Sequence, residues 1–85
     1  FDLYSFSSKH VGTAKFTRLR TVKNEEGEQV VLARNGEIAI LNEKGREIDK
    51  FDIPAGAILK VTENDKVKQG TVLVQWDPHS IPILS

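Results

Sequence analysis

A chain of 85 residues has room for one domain with a modest core, whose stability is marginal unless a larger assembly supports it. Twelve lysines and arginines are balanced by twelve acids, whereas a domain that grips nucleic acid unaided carries a clear basic excess, so autonomous DNA or RNA binding is disfavoured. The absence of cysteine excludes disulfides, thiolate metal sites and cysteine nucleophiles and suits a reducing cytoplasm, and no apolar run approaches the roughly 20 residues of a membrane-spanning helix.

The N-terminal stretch Phe1-Asp2-Leu3-Tyr4-Ser5-Phe6 alternates apolar and polar residues and lacks the long apolar stretch of a signal peptide. The chain contains no methionine at all, which points to a segment cut or processed from a longer protein. Strand signals dominate the rest of the chain. Val11 to Leu19 carries Ala14 and Phe16 among β-compatible residues, and Gln29-Val30-Val31-Leu32-Ala33 reads as a buried strand. Asn35-Gly36 is the strongest short hairpin signal in the chain, because both central residues of such a turn must tolerate positive φ; it predicts a hairpin joining that run to Ile38-Ala39-Ile40-Leu41, with Ile38 and Ile40 on one face.

Asn42-Glu43-Lys44-Gly45 predicts a second tight turn, with glycine at the left-handed position. Arg46 to Phe51 is a further strand of imperfect period, since Ile48 and Phe51 stand three apart. Pro54-Ala55-Gly56 turns the chain again, Ala57 to Val61 is the next strand, and Glu63-Asn64-Asp65 is a polar loop. Thr71 to Trp76 is the last strand; Pro78 and Pro82, so close together, take the chain out of the sheet. Turns recurring every 8 to 12 residues predict an all-β sandwich or barrel.

A short internal repeat sharpens that expectation. Ile53-Pro54-Ala55-Gly56-Ala57-Ile58-Leu59-Lys60-Val61 shares its pattern with Val67-Lys68-Gln69-Gly70-Thr71-Val72-Leu73-Val74-Gln75: an apolar residue, two spacers, glycine, one spacer, then apolar residues. Each copy reads as a tight turn feeding a strand, and the tandem predicts a barrel-sandwich hybrid of short antiparallel strands.

Signals for chemistry are weak. His10 and His79 lie at opposite ends with no spacing that joins them, and no Gly-rich phosphate loop, nucleophile elbow or paired-carboxylate motif occurs, so neither a metal site nor catalysis is expected. Lys15, Arg18, Arg20 and Lys23 form a basic stretch. In a regular strand Lys15 and Arg18 point to opposite faces, whereas Arg18 and Arg20 share one; transient salt-sensitive contact with nucleic acid competes here with the plainer role of guarding an edge strand.

Three stretches resemble a known family. They are Ala33-Arg34-Asn35-Gly36-Glu37 followed by Asn42-Glu43-Lys44-Gly45-Arg46-Glu47; Ile53-Pro54-Ala55-Gly56-Ala57-Ile58-Leu59; and, most specific, Gly70-Thr71-Val72-Leu73-Val74-Gln75-Trp76-Asp77-Pro78-His79-Ser80-Ile81-Pro82-Ile83. From Val11 to Ser85 the chain resembles the sandwich-barrel hybrid module inserted in the trigger loop of bacterial RNA polymerase beta-prime subunits. On that likeness residues 1–10 are a variable N-terminal strand or linker, 11–76 the module, and 77–85 an exit segment toward the rest of the subunit.

The resemblance implies a non-catalytic module of a DNA-directed RNA polymerase that modulates trigger-loop motion, pausing and elongation. The implied partners are the remainder of the beta-prime and beta subunits, transcription factors and weakly held nucleic acid, in the bacterial cytoplasm and not at a membrane. The magnesium and zinc of such a subunit lie elsewhere: Asp49 and Asp52 sit singly, and the zinc ligands of the family are cysteines. No cofactor, metal or catalytic residue is therefore expected on this chain. Trp76, Asp77, Pro78 and His79 are the candidate interface or linker; Trp76 packs at the end of the last strand, and Asp77 and Pro78 fix the exit path.

Two rivals belong to other classes. Glu63-Asn64-Asp65-Lys66-Val67 is similar to the lipoyl-lysine motif of lipoyl and biotinyl carrier domains, in which Lys66 would carry the modification. Asp65-Lys66-Val67-Lys68-Gln69-Gly70-Thr71-Val72-Leu73 aligns better with a second turn of those domains, which makes Lys66 an ordinary exposed turn residue. A freestanding protein-interaction module is the other.

Overall fold

Two pentapeptides of one pattern, Asn24-Glu25-Glu26-Gly27-Glu28 and Asn42-Glu43-Lys44-Gly45-Arg46, each build a tight hairpin. In each, the asparagine side-chain oxygen accepts from the amides two and four residues on: Asn24 Oδ1 from Glu26 and Glu28, Asn42 Oδ1 from Lys44 and Arg46, all at 2.9 Å. The glycine in each takes positive φ, 82° at Gly27 and 78° at Gly45, where an L side chain would be strained.

The computed structural model describes residues 3–32 and 34–78. Among them lie nine strands: β1 (Tyr4–Ser7), β2 (Gly12–Thr17), β3 (Thr21–Lys23), β4 (Gln29–Val31), β5 (Gly36–Leu41), β6 (Glu47–Ile53), β7 (Ile58–Leu59), β8 (Lys66–Val67) and β9 (Val72–Trp76). They form a five-stranded sheet in the order β1-β9-β7-β4-β3 and a four-stranded sheet in the order β6-β5-β2-β8, with every pairing antiparallel. The architecture is all-β, as the turn spacing predicts, and fits the barrel-sandwich hybrid expected from the tandem repeat.

The core lies between the sheets. Ala14, Ile38, Ile40, Ile53 and Val67 come from the four-stranded sheet, and Val31, Leu73 and Val74 from the other. Each fully buried Ile, Leu or Val contributes about 1.5–3 kcal/mol of apolar transfer. Two bulges explain why the strands do not alternate cleanly. In β6, Ile40 faces Asp49 and Leu41 faces Glu47, so Ile48 is the extra residue and, like Phe51, packs against the core. In β9, Phe6 faces Val74 and Ser7 faces Val72, and the extra residue Leu73 is fully buried beside fully buried Val74.

The internal repeat has three copies in space. In Pro54–Ala57, Thr62–Asp65 and Lys68–Thr71 the fourth amide donates to the first carbonyl, and the third residue has positive φ: Gly56 (92°), Asn64 (71°) and Gly70 (92°). Each turn clasps one residue by two backbone hydrogen bonds. The Gly56 amide donates to the Val31 carbonyl (2.7 Å) while the Val31 amide donates to Ala57 (2.8 Å). Asn64 and Asp65 hold Ala14 in the same way at 2.8 and 2.9 Å, and Gly70 and Thr71 hold Ser8 at 2.7 and 2.8 Å. All three clasped residues are buried, so these bonds satisfy backbone groups that water cannot reach.

The first amide of each turn is also accounted for. Thr62 N–H donates to Asp65 Oδ2 (2.8 Å) and Lys68 N–H to Thr71 Oγ1 (3.0 Å). Pro54 has no N–H to satisfy, and the residue at the corresponding acceptor position is Ala57.

Several expectations need correction. Asn35-Gly36 closes no hairpin: β4 belongs to the five-stranded sheet and β5 to the other, so this segment carries the chain between sheets. Glycine serves there for space, not for φ. A Cβ on Gly36 would lie 2.5 Å from Leu19 Cδ1 and 3.2 Å from the Arg18 carbonyl oxygen. The predicted buried run also ends sooner, because β4 stops at Val31 and Leu32 is 57% exposed; Ala33 lies outside the described residues. The strand expected over Ala57 to Val61 is only the two residues of β7.

Candidate functional site

The candidate stretch begins on β9, which lies between β1 and β7 in the five-stranded sheet. β9 pairs with β1 so that Trp76 stands directly opposite Tyr4, and the two rings meet edge to face at 5.9 Å and 82°. Trp76 also lies 5.0 Å from Phe6, which in turn lies 5.2 Å from Phe51 on β6. Four aromatic residues from three strands thus close one side of the sandwich, with Trp76 half-buried and Tyr4 exposed. After Trp76 the chain leaves the sheet through Asp77 and Pro78, both half-buried; His79 lies outside the described residues.

The basic stretch does not form one face. Lys15 is on β2, a strand bounded on both sides by β5 and β8, and pairs with Glu63 at 3.6 Å. Arg18 has positive φ (51°), which ends the strand and breaks the regular alternation assumed for Arg18 and Arg20; its guanidinium is 3.9 Å from Glu37. Only Lys23 stands on an edge strand, β3. The role of edge protection therefore fits Lys23 and not Lys15.

Asp49 and Asp52 face away from each other in register, opposite Ile40 and Glu37, and Asp49 Oδ1 accepts from the neighbouring Lys50 amide at 2.9 Å. Among the described residues no three histidines or acids converge as a metal-binding group, and the chain has no cysteine. His10 is exposed; its carbonyl accepts from the buried Ser8 hydroxyl at 2.6 Å. Lys66 lies within β8, paired opposite Thr13, and not at the tip of a hairpin where a carrier lysine would swing. No helix among the described residues is long and apolar enough to cross a membrane.

The structure also forms a groove that the sequence did not announce. Its volume is about 790 Å³, and it lies between the start of β2, the β5–β6 hairpin and β8. Val11, Gly12 and Leu41 supply its apolar lining, and Lys44, Arg46 and Lys66 its cations. These segments are far apart in the chain, so no local motif marks them.

Comparison with known proteins gives the family. No family model matches the chain. Beta-prime subunits of DNA-directed RNA polymerase do: that of Rhodopirellula baltica is 51% identical over 74 residues, or 87% of the chain. The subunit of Syntrophobacter fumaroxidans is 43% identical over 81 residues, or 95% of the chain, and that of Marinomonas sp. is 40% identical over the same length. The aligned stretch is 5–6% of the length of these relatives. Sequence likeness at this level, over nearly the whole of an all-β module, means that the chain belongs to the beta-prime subunit family of bacterial DNA-directed RNA polymerase, as the counterpart of a small segment of that subunit.

Proposed function

We propose that this chain is a non-catalytic module inserted in the trigger loop of a bacterial RNA polymerase beta-prime subunit, where it modulates loop motion, pausing and elongation. The observation that carries the reading is the pairing of the first and last strands. Tyr4 stands opposite Trp76, which supports a body that leaves a host loop and returns to it at neighbouring points. A body joined to a moving loop in this way leaves the ends of that loop close together.

The mechanism is a bias on a conformational equilibrium. Closing loops of this kind gate catalysis and often set its rate. A rigid body joined to one moves with it, and any contact it makes in only one loop state shifts the balance between states. A difference of about 1.4 kcal/mol changes that balance tenfold. The partners are then the remainder of the beta-prime and beta subunits, with transcription factors and transient nucleic-acid contact at the periphery, in the bacterial cytoplasm at the nucleoid. Magnesium and zinc chemistry belongs to other parts of that subunit, and none of it is routed through these residues.

The test removes residues 4–76 from the complete subunit, joins the ends with a short flexible linker, and compares pause lifetimes and elongation rates of the assembled polymerases. The reading expects both to change while nucleotide addition persists. Identical pausing and elongation would overturn it.

A further inference from the structure

From the groove between β2, the β5–β6 hairpin and β8, we infer a docking site for an acidic, apolar segment of a partner protein. This inference stands on the groove alone and does not depend on where the module sits in the polymerase.

Charge is the first argument. The chain as a whole is neutral, yet among the described residues three cations line this groove against one carboxylate, Glu43. Elsewhere Lys15 pairs with Glu63, Arg18 and Lys50 with Glu37, and Lys60 with Glu28, while Lys9, Arg20, Lys23, Arg34 and Lys68 form no ion pair among the described residues; what marks the groove is the grouping of three cations beside one acid. Lys44, Arg46 and Lys66 form no ion pair among the described residues. The site therefore carries a local positive field over an uncharged molecule, complementary to an acidic partner.

Rigidity is the second. The Asn42 side chain fixes the amides of both Lys44 and Arg46 at 2.9 Å, so these two side chains project from a loop already held in place. Lys66 is set by the pairing of β8 with β2. Little backbone ordering remains to oppose binding.

The lining decides the class of partner. Val11 is 73% exposed at the rim and Leu41 is half-buried, so an apolar side chain finds contact here. No aromatic residue among the described residues lines the groove, which leaves bases nothing there to stack on. Glu43 on the wall opposes a continuous run of phosphates. A protein segment that alternates acids with apolar residues meets all three features; a nucleic-acid strand meets only the charge.

The test titrates the complete 85-residue chain, labelled with nitrogen-15, with a synthetic peptide alternating Asp or Glu with Leu. Saturable shifts are expected at the amides of Gly12, Thr13, Leu41, Lys44 and Lys66. K44E/R46E should weaken binding about tenfold or more, and E43Q should strengthen it, with the remaining amide shifts of both variants unchanged. On the unaltered chain a peptide with lysine in place of its acids should not bind. Three outcomes overturn the proposal: no saturable shift, equal binding of the lysine peptide, or stronger binding of an oligothymidylate at the same amides.

Discussion

Phe6 on β1 and Phe51 on β6 meet with ring centroids 5.2 Å apart, joining an edge strand of one sheet to an edge strand of the other. Trp76 packs on the first of these rings and Tyr4 on Trp76, so the side of the sandwich nearest the paired strand ends is closed by aromatic contact. Loss of the ring at position 51 opens that side. Phe51→Ala should destabilise the domain by about 3 kcal/mol or somewhat less, because the side chain is half-buried, and Phe51→Leu should cost less than about 1.5 kcal/mol. Urea midpoints of the three proteins check this; equal midpoints for wild type and Phe51→Ala would show that the sheets close without the contact.

The three clasps make a prediction about glycine that separates two kinds of strain. Gly70 has φ 92° with open space around the site of a Cβ, so Gly70→Ala should cost about 1–2 kcal/mol from backbone conformation alone. Asparagine occupies the equivalent position of the second clasp, as Asn64 at φ 71°, so Gly70→Asn should recover most of that loss. Gly12 is different: its φ is not positive, but a Cβ there would lie 2.5 Å from the Leu41 carbonyl oxygen. Asparagine at position 12 should therefore be at least as damaging as alanine. Thermal unfolding of the four variants distinguishes the cases, and a Gly12→Asn protein more stable than Gly12→Ala would contradict the steric account.

How much of this was legible depends on whether a signal is local. The spacing of turns gives the all-β class, and the Ile53 and Val67 repeat exposes two of the three clasps. The third was hidden because Asn64 replaces glycine in it. The Asn24 hairpin carries the same Asn-Glu-x-Gly pattern as the Asn42 hairpin and was readable by that comparison. Asn35-Gly36 misled because glycine answers two needs, positive φ and close approach, and only packing against Leu19 shows which one applies. Trp76 was legible as the end of the last strand. The cationic groove was not, since Val11, Lys44 and Lys66 are brought together only by the pairing of β2 with β5 and β8.

Acid should loosen the second clasp before the others. Hydrogen bonds from the Thr62 amide, and then from its hydroxyl, hold the Asp65 carboxyl below its ordinary value of 3.8. A folded-state pKa below the unfolded one contributes stability that is present above the unfolded value and is lost as pH falls through the folded value. The difference in urea midpoint between wild type and Asp65→Asn should therefore be constant near neutrality and shrink below about pH 4. Asp65 is exposed, so the effect is small and needs the paired comparison. A difference that grows on acidification would have the wrong sign for this hydrogen bond.

The proposed join between module and loop makes the last prediction. Trp76 is held by its pairing with Tyr4 and by contact with Phe6, and β9 ends there, so force on the segment beyond Pro78 reaches the sheet within two residues. If the module biases the loop mechanically, flexible glycine-serine residues inserted after Pro78 in the complete subunit should weaken that coupling. Pause lifetimes should then move from the wild-type value toward that of the polymerase lacking residues 4–76, with a lesser shift for a shorter insert. A module acting only through its surface, for example through the cationic groove, would keep its effect when the linker lengthens and lose it on K44E/R46E. Measuring both variants in one pause assay decides between transmission through the paired strand ends and transmission through a docked partner.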